Sequence, residues 1–269
     1  MALSRNHTGY LLIILTSLMA VIGVFFMPPI PQDTAYHGFS DVSRRFGIDN
    51  FMNVFSNAGF FLVGVYGLYK LLLRKQLNII EEFRPAYIIL FGGVTLVAFG
   101  SGYYHLQPNN QSLVWDRLPM TIAFMSLFSI IIAECVSHRA GKILLYPLII
   151  AGVFSVYYWH ITELKNAGDL RPYVLVQFLP MLIIPVILLT FKSDYGQLKG
   201  YWWLLLAYVL AKLFEFLDGE IHQLLYLISG HSLKHLVSAL GVYFLLLYYI
   251  NRQLICHDDR ETAPPALAR

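Results

Sequence analysis

Charge is scarce in this chain: Asp, Glu, Lys and Arg make up 13% of 269 residues, against 57% hydrophobic residues. A water-soluble domain of this length needs far more solvating surface, so a soluble globular fold is excluded. Cysteine occurs twice, at Cys135 and Cys256, and both fall on the side assigned below to the cytoplasm, so no disulfide is expected. The net charge of +3 is too small to imply nucleic acid as a partner, and there is no repeat or low-complexity tract.

What the chain has instead is long apolar runs. Spanning a hydrocarbon core takes about 20 mainly apolar residues per helix. Stretches near that length run from Tyr10 to Met27, Phe51 to Leu73, Ala86 to Leu106, Leu113 to Glu134, Ile143 to Trp159, Pro172 to Phe191, Tyr201 to Phe216 and His231 to Ile250. The connections are mostly short. An all-α, polytopic transmembrane helical bundle of eight helices follows, with no soluble domain. Residues 251–269 are polar and proline-bearing and read as a disordered cytoplasmic tail.

Lysine and arginine are retained on the cytoplasmic side of membrane proteins. One set of loops and ends, containing Arg5, Arg74, Arg139, Lys192 and the tail, holds 11 basic residues, and the opposite set, containing Arg44, Arg45, Lys165 and Arg171, holds 4. Both termini are therefore expected in the cytoplasm. Residues 1–30 read as an uncleaved anchor helix, because no small-x-small cleavage site precedes MPPIPQD.

This topology gathers chemistry at one end. His37, His105, His160, His222, His231 and His235 map to the outer side, and His7, His138 and His257 to the inner. Residues four apart on a helix share a face about 6 Å apart, so His231 and His235 can share one metal ion, and Ser101 lies one turn below His105. Catalytic zinc typically takes three protein ligands and keeps one position for water. His105, His231 and His235 meet that count. Asp116 is then placed to hold or deprotonate the water, and Ser101 to hydrogen-bond a substrate carbonyl oxygen as it gains charge.

The string FGSGYYHLQPNNQSLVWDRLPM, with S-x-x-x-H followed eleven residues later by aspartate, together with SGHSLKH, resembles the alkaline ceramidase family. The segment FMNVFSNAGFFLVGVYGLY is similar to that family's first core helix, so 31–250 reads as a seven-helix ceramidase-like membrane domain behind the anchor. The resemblance implies that His105, His231 and His235 bind Zn2+, that Asp116 positions and deprotonates the attacking water, and that Ser101 supports the metal site or the oxyanion. The implied reaction is hydrolysis of the N-acyl bond of a ceramide-like membrane lipid. The site would face the outer, periplasmic or lumenal leaflet, and no obligate protein partner is expected.

One family feature is missing. Eukaryotic members carry a D-W-x-E-x-N segment similar to a calcium site, and no such string precedes Phe51 here. Asp33, Asp41, Asp49 and Asn50 offer oxygen ligands, but solvated loop polarity is the preferred explanation, and calcium is the less favoured cofactor. In AKLFEFLDGEIH, Lys212, Glu215, Asp218 and His222 fall on one face if the helix persists, and a carboxylate among them could orient a ligand histidine through its free ring N–H. A self-neutralising Lys212–Glu215 pair explains the cluster equally well. Gly92, Gly93, Gly100 and Gly102 are expected to allow close helix packing. Tyr103, Tyr104, Trp115 and Trp159 fit an outer aromatic belt, with Trp202 and Trp203 in the inner one.

The alternative to an enzyme is a receptor-like or transport protein of the same superfamily that binds a hydrophobic ligand without turnover. The short inner loops, and the gathering of ionisable groups at one end, weigh against both.

Overall fold

The computed structural model describes residues 5–254. Most of the expected disordered tail, with Cys256 and His257, lies outside those residues. The long helices are α1 (Arg5–Phe26), α4 (Arg84–Leu106), α5 (Asn110–Ile131), α6 (His138–Leu164), α7 (Arg171–Thr190), α8 (Lys199–Phe216) and α10 (Gly230–Asn251). The remaining apolar stretch is broken into α2 (Phe51–Phe55) and α3 (Ala58–Leu68), which runs into a π turn over Tyr69–Leu73. A short helix, α9 (Asp218–Leu225), follows α8.

Among the described residues, seven segments are long and apolar enough to cross a membrane, so the chain is a multi-pass all-α membrane protein. The eighth expected span, α8, is helical over 18 residues but carries Lys199, Lys212 and Glu215, which sets it apart from the other seven. It packs along α10.

Several local devices fix the elements that matter. Asn109 caps α5: its side chain accepts from the Gln111 and Ser112 N–H groups, and the Ser112 hydroxyl accepts from the Asn109 N–H in return. Ser229 caps α10 by accepting from the Ser232 N–H. These caps start α5 and α10 just ahead of Asp116 and His231. Pro119, Pro147, Pro180 and Pro185 lie inside helices, a placement that membrane bundles tolerate.

The glycine expectation holds in part. A side chain at Gly100 would collide with the Trp115 carbonyl oxygen, and one at Gly93 would press on Ala123, so α4 and α5 approach backbone to backbone there. Gly92 and Gly102 face open space and need another explanation. The aromatic belt is likewise corrected. Tyr103 and Trp115 are exposed, as are Trp202 and Trp203, but Tyr104 and Trp159 are fully buried. Tyr104 donates to or accepts from His37 Nδ1 at 2.8 Å, and Trp159 lies under a guanidinium discussed below.

The opposite end of the bundle is closed by a polar plug. Arg252 pairs bidentately with Glu134 at 2.6 and 2.7 Å, while the hydroxyls of Tyr87 and Tyr201 donate to the same carboxylate at 2.5 and 2.7 Å. Arg252, expected to open the disordered tail, is buried instead and holds the end of α10 to the π turn over Ile132–Val136 that follows α5.

Candidate metal centre and active site

His105 stands in the last turn of α4, and His231 and His235 in the first two turns of α10. Their ligand nitrogens all lie within 4.8 Å of one another, and all three residues are buried. The Nε2 atoms of His105 and His231 are 3.3 Å apart. Tetrahedral zinc with bonds of about 2.05 Å holds its ligand nitrogens about 3.3 Å apart, so that spacing suits the ion. His235 Nδ1 meets Ser56 Oγ at 2.8 Å, which leaves Nε2 as the nitrogen it can offer to a metal.

A loop closes over this cluster. Phe39 packs on His105 and His231 with ring centroids 4.7 and 4.4 Å away. Asn50 donates to the His105 carbonyl at 2.8 Å, and Ser232 donates to Asn53 at 2.7 Å. Asp218 accepts from the Ser40 N–H at 2.9 Å and from the His231 N–H at 2.7 Å, and His222 Nδ1 meets Ser40 Oγ at 2.9 Å.

The second cluster is thus divided. The helix does not persist: α8 ends at Phe216 and α9 begins at Asp218, so Asp218 and His222 turn to the loop while Glu215 pairs with Lys212 and Lys234. Asp218 reaches His231, but through its backbone amide and not its ring.

The loop oxygens have separate tasks. Asp33 caps the 3-10 turn at Thr34, and Asp49 pairs with Arg44 at the surface. Asp41 and Asn50 are buried, which overturns solvated polarity as the explanation for those two. Among the described residues, no metal-ligand group includes any of the four.

Ser101 and Asp116 face each other across the close α4–α5 contact that Gly100 permits, with the Ser101 hydroxyl beside the Asp116 carboxylate. Both line a cavity of about 380 Å³. Its polar end carries Ser101, Asp116, Arg117, Lys234, Glu215 and His235. Its body is apolar, running past Val94, Leu90, Leu127, Ile131 and Leu245 to Tyr201 above the Glu134 plug. From Ser101 to Leu90 along α4 is about 16 Å at the helical rise.

The sequence model of the family described as Ceramidase matches residues 47–218. The chain belongs to the Ceramidase family. It is a ceramidase-like hydrolase of amide bonds in a multi-pass membrane bundle, and the family implies a ceramide-like lipid as substrate. The matched residues contain Ser101, His105 and Asp116, whereas His231 and His235 lie beyond them and meet His105 through the fold. No curated protein matches the chain.

Sequence reasoning passed over Lys234, Arg117 and Ser56 as parts of this site. For Lys234 and Arg117 a signal existed, since charged residues within membrane helices are functional candidates by default. Nothing marks Ser56 in the sequence, because its role depends on where α2 meets α10.

Proposed function

We propose that the protein is a zinc-dependent amidohydrolase that cleaves the N-acyl bond of a ceramide-like lipid, giving a fatty acid and a long-chain base. The observation that carries this reading is the convergence of three buried imidazoles at the polar end of an apolar cavity. The donor set fits zinc: three imidazoles, two with Nε2 atoms at the tetrahedral spacing and the third with Nδ1 engaged elsewhere. When bound there, the metal supplies an acidified water and a Lewis acid for the amide carbonyl.

The chain's own residues do the rest. The apolar body of the cavity takes an acyl chain and keeps bulk water from the amide. Asp116, at its head, accepts a proton as water adds to the carbonyl carbon and returns it to the amine nitrogen as the C–N bond breaks. Ser101, beside Asp116, holds that carboxylate in place, and its hydroxyl can turn to the carbonyl oxygen as charge builds. Lys234, held by Glu215 at 2.8 Å, keeps a positive charge beside that end of the cavity. The basic-residue asymmetry of the loops supports cytoplasmic termini and a site at the outer, periplasmic or lumenal leaflet.

The test is fatty acid release from N-acyl lipids by detergent-purified protein, with zinc content measured in the same samples. About one zinc per chain is expected. His231→Ala should lose both metal and turnover, and chelation should abolish a turnover that added zinc restores. Metal-free protein that hydrolyses lipid at full rate would refute zinc dependence. Stoichiometric zinc without turnover of any N-acyl lipid would favour a ligand-binding protein.

Ser56→Ala gives a finer check. Loss of the partner that orients a ligand imidazole typically weakens metal affinity by about 10- to 100-fold. Zinc competition with a chelator should show that weakening with the melting temperature little changed. Unaltered affinity would mean that His235 needs no support from Ser56.

A further inference from the structure

Two buried arginines in this bundle are treated in opposite ways. Arg252 has its charge met by a bidentate carboxylate, Glu134. Arg117, 5% exposed, makes no ion pair among the described residues. Its Nη2 donates to Gln32 Oε1 at 2.7 Å, its plane lies over the rings of Trp159 and Tyr173 at 4.2 and 4.6 Å, and its Nη1 is buried with no hydrogen-bond partner. Glu163, which joins the same group of residues, uses Oε1 on the Gln32 N–H and on Trp159 Nε1. Asp116, the preceding residue, lies beside Ser101 and forms no salt bridge with Arg117. A guanidinium stays charged in any protein setting, and its planar fork matches an oxyanion in a bidentate manner. Arg117 lines the head of the cavity together with Gln32, Tyr36 and Tyr173.

We propose that Arg117 binds an oxyanion on the amine half of the lipid, so that the preferred substrate is an N-acyl lipid with an acidic headgroup: a phosphate, sulfonate or carboxylate. This rests on the amide-hydrolase reading. The direction of the cavity selects the amine half. Gln32, Trp159 and Tyr173 belong to the end of the bundle where α6 finishes and α7 begins, whereas the acyl chamber runs the opposite way, toward Tyr201. An acyl chain in the chamber and an amide at Asp116 leave the headgroup beside Arg117. The carboxylate of the released fatty acid is the other source of an oxyanion, and it forms at the scissile carbon.

The experiment compares ceramide with ceramide 1-phosphate, matched in both chains, using full-length zinc-loaded wild type, Arg117→Gln and Arg117→Lys. The wild type should favour the phosphate by about tenfold or more in kcat/KM, the scale of a charge-assisted hydrogen bond. Arg117→Gln should lose that preference mainly through KM, and Arg117→Lys should keep part of it. Equal use of both lipids by the wild type, or an equal loss on both in Arg117→Gln, overturns the proposal. Inhibition by free palmitate that Arg117→Gln relieves, with no headgroup preference, assigns the oxyanion to the product and overturns it as well. Melting temperatures with each lipid give a readout without turnover. If no lipid is hydrolysed, yet the phosphate stabilises wild type more than Arg117→Gln, the hydrolase reading falls and the anion site stands. If neither lipid separates the two proteins, the anion site falls too.

Discussion

Asp116→Asn should lower fatty acid release about a thousandfold while the protein keeps its zinc, since a positioned general base contributes about 10²- to 10⁴-fold. Asparagine has the shape of aspartate, so the α4–α5 contact at Gly100 is left undisturbed. What disappears is the capacity to take a proton. Asp116 stands outside the three-histidine group, so metal content is the control that separates chemistry from ligation. Loss of zinc in this variant would make Asp116 a ligand, and a fall of less than tenfold would remove it from the proton-transfer role.

In detergent, Glu134→Gln should destabilise the bundle by roughly 3–5 kcal/mol, the usual penalty for removing one partner of a buried ion pair. The loss is large because Glu134 and Arg252 are almost fully enclosed, with side-chain exposures of 0% and 1%. Two tyrosine hydroxyls also converge on the carboxylate. Without the negative charge, the Arg252 guanidinium is left buried against Tyr195 and Tyr249 with no counter-ion. Thermal melting should therefore show a clear drop, and the double variant Glu134→Gln with Arg252→Gln should recover part of it. An unchanged melting temperature would show that water enters the plug and that the pair contributes little. Because Tyr201 belongs both to the plug and to the floor of the cavity, weaker acyl-chain binding should accompany the loss of stability.

The site was legible in the sequence wherever its parts obey helical spacing. His231 and His235 share a face because they are four residues apart on one helix, and Ser101 lies under His105 for the same reason. Topology then brought α4, α5 and α10 to one end, since consecutive spans alternate direction. The misreadings arose where spacing stops governing. The helix expected to run through Asp218 breaks after Phe216, which turns Asp218 to the backbone of His231 and His222 to the loop. Trp159 and Tyr104 look interfacial by position along their helices, but which face of a helix meets lipid is settled by packing. Asp41 and Asn50 look like solvated loop residues because nothing local reveals that the loop folds inward over the histidines.

The sequence by itself determined a multi-pass helical bundle, although α8, the eighth span it suggested, is not among the seven segments long and apolar enough to cross a membrane. It also determined the family and the identity of three imidazoles, a carboxylate and a hydroxyl gathered at one end. Hydrophobic length, helical periodicity and alternating direction are properties of the chain, and they suffice for that. Only the tertiary structure decided that the imidazole nitrogens converge to the spacing of a metal site, that Ser56 orients His235, and that Arg117 is buried without a carboxylate while Arg252 has one. Those features depend on distances between residues remote in sequence, set by how closely helices approach at positions such as Gly100, and no local pattern encodes such distances.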